Sequence, residues 1–345
     1  MGAAMQSFEL KPEEVKGFWS GRKPSPDIIL AAQFQSEIME RVEHQAASAG
    51  EPCPIIPRFR LRKGELTIWA GGNGDGKSAM MSQIALSMMM RGDSICMLSF
   101  EMEPQSTILQ MIRMAYGRRL SPNESGKVEK FFDWCEKRFW IYRNRGAIDP
   151  AYALDAVAYA AAVKGCAHVF VDNLMMLTGG DNSDQLYQTQ RYIVEQLKRI
   201  AVDCQTHIHV VAHLRKPSSS QSMKSPPGRY EISGSSDISN LADNVAVVTR
   251  NRDKENEAER LQTKNVGWDK EADTLIKLDK QRKNGQVIWQ KLWFEKKSGQ
   301  FCLSPERQLM ELMPKNLSGA DLTRSHQADA LNVAEEGWLF EDAKK

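Results

Sequence analysis

From Leu66 onward, short apolar runs alternate with longer stretches of helical period. LTIWA, SICMLSF, FWIYR, HVFVD and HIHVVAH are brief and apolar on both alternating faces, so they read as buried strands. KSAMMSQIALSMMMR, residues 104–116, ALDAVAYAAAVKG and QLYQTQRYIVEQLKRIAVD lie between them and read as helices. Strand and helix in this rhythm predict an α/β fold, with a mainly parallel central sheet covered by helices on both faces. After Asn244 the rhythm stops. VAVVTRN, TLIKLDKQR, QVIWQKLWFE and QFCLS read as antiparallel, hairpin-like strands, with an Asn284–Gly285 turn between two of them.

The ends of the chain have a different texture. Residues 1–26 read as a loose arm closing in the breaker-rich Gly21–Pro26. A helix is expected next, with Asp27 as its start signal and Leu30, Phe34, Ile38 and Val42 recurring every fourth residue. It gives way to AASAGEPCP, which reads as a linker reaching residue 60. The apolar stripe of such a tethered helix must be buried on its own domain or on a neighbouring subunit. Met80, Met81, Met88, Met89 and Met90 read as adaptable core packing for the first helix of the central region. Residues 304–345 lose strand character. Asp329, Glu335, Glu336, Glu341 and Asp342 surround Trp338, Leu339 and Phe340 there. Such a tail is either a solubilising segment or a peptide with aromatic anchors for a basic partner surface.

Composition narrows the class. At 345 residues, with 41% hydrophobic and 26% charged residues, the chain is long enough for a sizeable core. A net charge of +2 provides no global attraction to nucleic acid, so such binding requires a local patch. Six cysteines without a C-x-x-C pair argue against a zinc site and for reduced thiols. No apolar run approaches the ~18 residues of a membrane span. The N-terminus lacks a signal-peptide core, so a cytoplasmic location without a membrane partner is expected.

The chemistry begins at Gly71–Gly72–Asn73–Gly74–Asp75–Gly76–Lys77–Ser78, a G-x-x-x-x-G-K-S loop between a predicted strand and a predicted helix. Its glycines let backbone N–H groups converge on phosphate oxygens, and the helix N-terminus adds a positive dipole end. Lys77 offers a point charge to the β- and γ-phosphates, Ser78 a hydroxyl to Mg²⁺. With Ala79, residues 71–78 form the expected site for ATP or another nucleoside triphosphate. Asp172 ends the HVFVD strand, as a carboxylate for the metal shell must, directly or through water. Glu101 follows the MLSF strand, on the sheet edge where phosphates bind, and is the candidate base; Glu103 competes two residues on. His213 ends the next strand on the same edge, where a purely structural histidine is the alternative.

These strand-end groups, in this order, resemble the hexameric replicative helicases of the DnaB, T7-phage and Twinkle type. The resemblance runs from about Pro26 to Gly299. LSFEMEP is similar to the family's second motif, HVFVDNLMML to its Walker B strand, and VVAHLRKP to its third motif. It implies a RecA-like P-loop NTPase in which Glu101 is the base and His213 the γ-phosphate sensor. ISGSSDISNLADNVAVVTRNR is similar to the motif that lines the DNA channel. The Ser- and Pro-rich basic stretch after His213 stands where the family grips single-stranded DNA. That makes Arg215, Lys216 and Lys224 candidate phosphate contacts, with backbone donors at Gly234 and Ser235. Leu278–Arg282 resembles the final motif, which implies that Arg282, with Lys280 beside it, enters the ATP site of an adjacent subunit. Arg250 and Phe294 match positions that flank the nucleotide base.

The family also implies single-stranded and forked DNA as partners, a homo-oligomer, hexameric ring, movement 5′ to 3′, and a linker helix (residues 27–60) that docks on the next subunit. The acidic tail is a candidate contact for a replicative polymerase or a primase. Departures are clear: only some sixty residues precede the P-loop strand, without clustered cysteines, so a primase is not expected in this chain. The compact form and His213 point to a phage. A RecA- or KaiC-like scaffold that binds DNA without unwinding it uses the same P-loop and base, and a small-molecule kinase leaves the basic loop unexplained.

Overall fold

The computed structural model describes residues 31–43, 50–143, 148–178, 183–215, 226–233, 236–261 and 270–315. The chain divides into two units, Met1–Ala49 and Gly50–Lys345. In the first, a 3₁₀ turn at Ala31–Phe34 leads into α1, Gln35–Glu43. Phe34, Ile38 and Val42 recur at the predicted spacing, and all three side chains are exposed. Asp27, Leu30 and the preceding arm lie outside the described residues.

The second unit corrects the expectation of a linker up to residue 60. β1 (Glu51–Cys53) and β2 (Ile56–Leu61) form an antiparallel hairpin in which Cys53, Ile55, Ile56 and Phe59 are fully buried. Pro52, Pro54 and Pro57 give the segment the texture of a linker. A two-stranded sheet tolerates them because each strand keeps a free edge, and the register shifts at Pro52/Cys53.

Nine strands then form one sheet: β3 (Leu66–Gly71), β4 (Ile95–Ser99), β5 (Phe139–Ile141), β6 (His168–Asp172), β7 (His207–His213), β8 (Asn244–Arg250), β9 (Thr274–Gln281), β10 (Ile288–Glu295) and β11 (Gln300–Cys302). Their spatial order is β11-β10-β9-β8-β3-β7-β6-β4-β5. From β8 to β5 every pairing is parallel, and from β8 to β11 every pairing is antiparallel, as the sequence predicts. β3 is central, and all six of its residues are buried.

The covering helices are α2 (Lys77–Met90), α3 (Pro104–Ala115), α4 (Ser125–Cys135), α5 (Pro150–Ala158, continued by a π turn at Tyr159–Val163), α6 (Ser183–Asp203), α7 (Ser236–Leu241) and α8 (Arg252–Leu261). On one face, Trp69 packs with Met80, Met81, Met88 and Met89 of α2, with α4 and with the β1–β2 hairpin. On the other, Leu66, Ile68 and Ala70 meet Leu154 and Val157 of α5 and Ile193, Val194 and Leu197 of α6. Burying each such aliphatic side chain contributes about 1.5–3 kcal/mol. α8 escapes a search for apolar periodicity because RDKENEAERL is polar nearly all round. Among the described residues no helix is long and apolar enough to cross a membrane.

The N-terminal edge of β6 and β7 buries three histidines together. The Trp69 indole N–H donates to His209 Nδ1 (3.2 Å), which fixes the His209 proton on Nε2, facing His168 Nδ1 at 3.2 Å. His207 Nδ1 donates to the Arg62 carbonyl (2.7 Å), leaving its Nε2 to accept from the Thr67 hydroxyl (2.9 Å). Burial pushes all three pKa values down, that of His207 to about 4.

Candidate functional site: one sheet edge and a phosphate loop

The parallel register decides which strand ends meet. Gly71 pairs with His213, and Ser99 pairs with Asp172, so β3, β7, β6 and β4 deliver their C-terminal groups to a single edge. Residues 72–76 turn over this edge before α2 begins at Lys77. The turn needs glycine at two places. Gly76 has φ +89°, and a Cβ on it would stand 2.8 Å from the Phe301 ring. A Cβ on Gly71 would stand 2.9 Å from the Val248 carbonyl oxygen. Ala79 sits in the first turn of α2, partly buried against the core.

Lys77 is buried, and its Nζ donates to the carbonyls of Gly71 (3.0 Å) and Gly72 (2.7 Å). Burial pushes its pKa down, against the pull of the Asp75, Asp172 and Glu101 carboxylates. Asp172 is 5% exposed and accepts a hydrogen bond from Ser78. Burial raises its pKa, and nearby Glu101 adds to the rise. A buried carboxylate in contact with a P-loop hydroxyl fits Mg²⁺, which takes one or two protein oxygens and completes its shell with phosphate and water. No set of three or more His, Cys, Asp or Glu side chains suited to a metal occurs among the described residues. Ser78 and Asp172 present an oxygen pair whose chemistry fits such an ion.

Glu101 stands two residues beyond β4, with its Oε1 3.4 Å from His213 Nε2. Asn173, next to Asp172, links the two by donating to Glu101 and to His213 Nε2 (2.8 Å). The sequence reading passes over Asn173. An amide following a strand-end aspartate is a common turn former, and only the fold shows what it meets.

Two arginines, Arg250 at the end of β8 and Arg252 at the start of α8, hold the phosphate loop. Arg250 donates to the Gly74 carbonyl (2.9 Å) and pairs with Glu255 (2.7 Å). Arg252, also missed from sequence, donates to the Asn73 carbonyl (2.8 Å) and to Asp75 (3.1 Å). Asp75 in turn accepts from the Gly72 N–H at 2.7 Å. Phe294 packs against Phe301, with ring centroids 5.0 Å apart. Glu103, the alternative base, precedes the first turn of α3 as its N-cap residue.

The described foot of the basic loop is tied to the same edge. Leu214 forms a β-bridge with Ile232, the Ser233 N–H donates to the His213 carbonyl (2.7 Å), and the Arg215 N–H to that of Glu231 (2.8 Å). Lys216, Lys224, Gly234 and Ser235 lie outside the described residues, as does the acidic tail.

Lys280 and Arg282 stand elsewhere. β9 runs antiparallel to β8, so Gln281 pairs with Asn244, which pairs in turn with Thr67 near the start of β3. That is the sheet edge opposite the phosphate loop, roughly 20 Å away along a seven-residue strand. Lys280 donates to the carbonyls of Ser239, Asn240 and Ala242 at the C-terminal end of α7. Its pKa is pushed down to about 8 by burial, with Arg282 and Arg229 adding to the shift. Arg282 donates to the Asn240 carbonyl (2.9 Å) and pairs with Asp243 at 3.6 Å.

Comparison with known proteins identifies the family and the fold. Residues 60–302 match the family model described as the DnaB-like helicase C terminal domain. A solved structure of an isolated ATPase domain is similar over 80% of this chain and 99% of its own, with TM-score 0.64 at 17% identity. A DnaB-like replicative helicase, solved in a study of its interactions with primase, is similar over 80% of this chain and 67% of its own, with TM-score 0.58 at 17% identity. With most of its length matched by that family model around a RecA-like P-loop ATPase fold, the chain belongs to the DnaB-like helicases and is an ATP-dependent DNA helicase.

Proposed function

We propose that this chain is one subunit of a hexameric ring that moves 5′ to 3′ on single-stranded DNA and parts the duplex ahead of it. The observation that carries the reading is the separation of Lys280 and Arg282 from their own chain's phosphate loop by the full depth of the sheet. A guanidinium that serves catalysis from there serves a second copy. In this reading Lys77 and the amides of residues 72–79 hold the triphosphate, with Arg250 and Phe294 beside the base. Ser78 and Asp172 would hold Mg²⁺, directly or through water, and the ion would supply positive charge against the triphosphate. Glu101 takes the proton of the attacking water. His213 senses the γ-phosphate and passes its state to the loop that begins two residues later. Arg215, Lys216 and Lys224, with the amides of Gly234 and Ser235, grip DNA phosphates in a salt-dependent manner.

The exposed stripe of α1 suits docking on the neighbouring copy, and the 329–342 segment suits docking on a polymerase or primase. Steady-state ATPase with and without single-stranded DNA, beside unwinding of forks with a single 5′ or 3′ tail, tests the motor. DNA-stimulated turnover with unwinding only from the 5′ tail is expected. Turnover without strand displacement from either fork would instead mark a static scaffold.

A further inference from the structure

We propose that Asn173 is a positioning residue that couples the base Glu101 to the sensor His213 through its single side-chain amide. The inference rests on the roles given to those two residues above.

Asn173 follows β6 and is 1% exposed. Its Oδ1 accepts from the Met176 N–H at 3.2 Å. A backbone N–H only donates, so this contact fixes which end of the amide is oxygen and turns the NH₂ group toward the phosphate edge. That NH₂ has two hydrogens. One goes to Glu101 Oε1 and the other to His213 Nε2 at 2.8 Å, so both are used. Because Nε2 accepts, the neutral His213 ring carries its proton on Nδ1, which is buried with no hydrogen-bond partner among the described residues. An unsatisfied buried donor favours a change of ring orientation. Any such movement withdraws one of the two acceptors of Asn173 and frees the amide to shift against Glu101. The base and the sensor therefore share one set of donors, held by a side chain whose remaining contact is the Met176 N–H.

Asn173 also has a structural duty, since its oxygen caps the 3₁₀ turn Leu174–Thr178. The two duties separate by substitution. Asn173→Asp and Asn173→Ser keep an acceptor for Met176 and remove the NH₂ group; only the first adds a charge. Each is compared in the full-length protein with wild type, Glu101→Gln, His213→Ala and the double variant Asn173→Ser/His213→Ala, with circular dichroism checking the fold. Both single Asn173 variants are expected to keep KM for ATP within about twofold and to lose about tenfold or more in kcat. The double variant is expected to be no slower than the slower of its two parents, because both substitutions break the same link. A kcat within about twofold of wild type for both Asn173 variants, with Glu101→Gln inactive, overturns the coupling and leaves only the cap. So does a loss confined to KM, or a double variant whose losses multiply. Full turnover by Glu101→Gln overturns the prior assignment of the base, and the inference with it.

Discussion

The sheet has two halves that handle charge in opposite ways. In the parallel half, β3, β4, β6 and β7 bring Lys77, Ser78, Glu101, Asp172 and His213 to one edge of one chain, where Ser78 donates to the buried Asp172 and Asn173 bridges Glu101 and His213. In the antiparallel half, β9 carries Lys280 and Arg282 to the opposite edge, where they rest on backbone carbonyls of α7 and on Asp243. The first half is a nearly assembled chemical site. The second presents cations with no phosphate site of their own chain within reach. Parallel pairing gathers strand ends and antiparallel pairing sends them apart, which is what the proposed ring, with its arginine supplied by a neighbour, builds on.

The largest expected effect lies in the parallel half. Lys77→Ala and Glu101→Gln should each lower steady-state phosphate release by ~10³-fold or more, about 4 kcal/mol of transition-state stabilisation. Turnover near wild type in Lys77→Ala would remove the phosphate loop from the chemistry.

Arg282→Ala should approach that loss, on the order of 10³-fold, although its own phosphate loop is intact. The comparison between halves then has a direct test. Lys77→Ala and Arg282→Ala chains, each inactive alone, are mixed in equal amounts and reassembled. An interface works when the chain supplying the phosphate loop carries Lys77 and the chain supplying the arginine carries Arg282. The chance is one half for each, so about a quarter of wild-type turnover returns if sites act independently in a heterologous ring. Undiminished turnover by Arg282→Ala alone would break the comparison.

Much of the parallel half was legible in the sequence because its strands are buried on both faces and so appear as uninterrupted apolar runs. A charged or polar residue closing such an apolar run stands out in the sequence, and Asp172 and His213 were singled out as candidates that way. The β1–β2 hairpin was hidden by its prolines, and α8 by the lack of an apolar stripe. Arg252 and Asn173 were missed for another reason. Their importance lies in what they touch, Asp75 in one case and Glu101 with His213 in the other, and those partners are distant in sequence. Arg282 is a candidate only through family resemblance, since nothing local separates it from a solvated strand end.

The two ends of β6 and β7 also differ, and the difference predicts an acid limit to stability. His168, His207 and His209 are buried and neutral, with folded pKa values below the ordinary value of about 6.5. Below that value the unfolded chain takes up protons that the folded chain refuses. Stability should therefore be full above about pH 6.5 and fall as the pH drops toward the folded values, about 4 for His207. Each histidine contributes up to about 1.4 kcal/mol per pH unit in that window. Urea unfolding at about pH 7, 6 and 5 measures the slope, and His209→Gln should flatten it. A flat profile over this range would mean that the stack accommodates an imidazolium.

The smallest effect concerns the place where the two halves touch on the phosphate side. Arg252 follows β8, the strand shared by both halves, and its guanidinium spans the Asn73 carbonyl and Asp75. Asp75 keeps its other oxygen on the Gly72 N–H, so the arginine braces the loop through a residue inside it. The Arg252–Asp75 pair is half-exposed on the arginine side, and such pairs contribute little to global stability. Its effect should appear in loop order instead. Arg252→Ala is expected to raise KM for ATP about three- to tenfold with little change in kcat, because the brace acts on binding and touches no reacting atom. Both bonds leave the single nitrogen Nη2, so Arg252→Lys should recover part of this to the extent that the shorter stem brings its ammonium to the two acceptors. If kcat falls instead while KM holds, Arg252 belongs with the groups that act on the transition state, and the chemical site extends further into the antiparallel half than the phosphate loop alone implies.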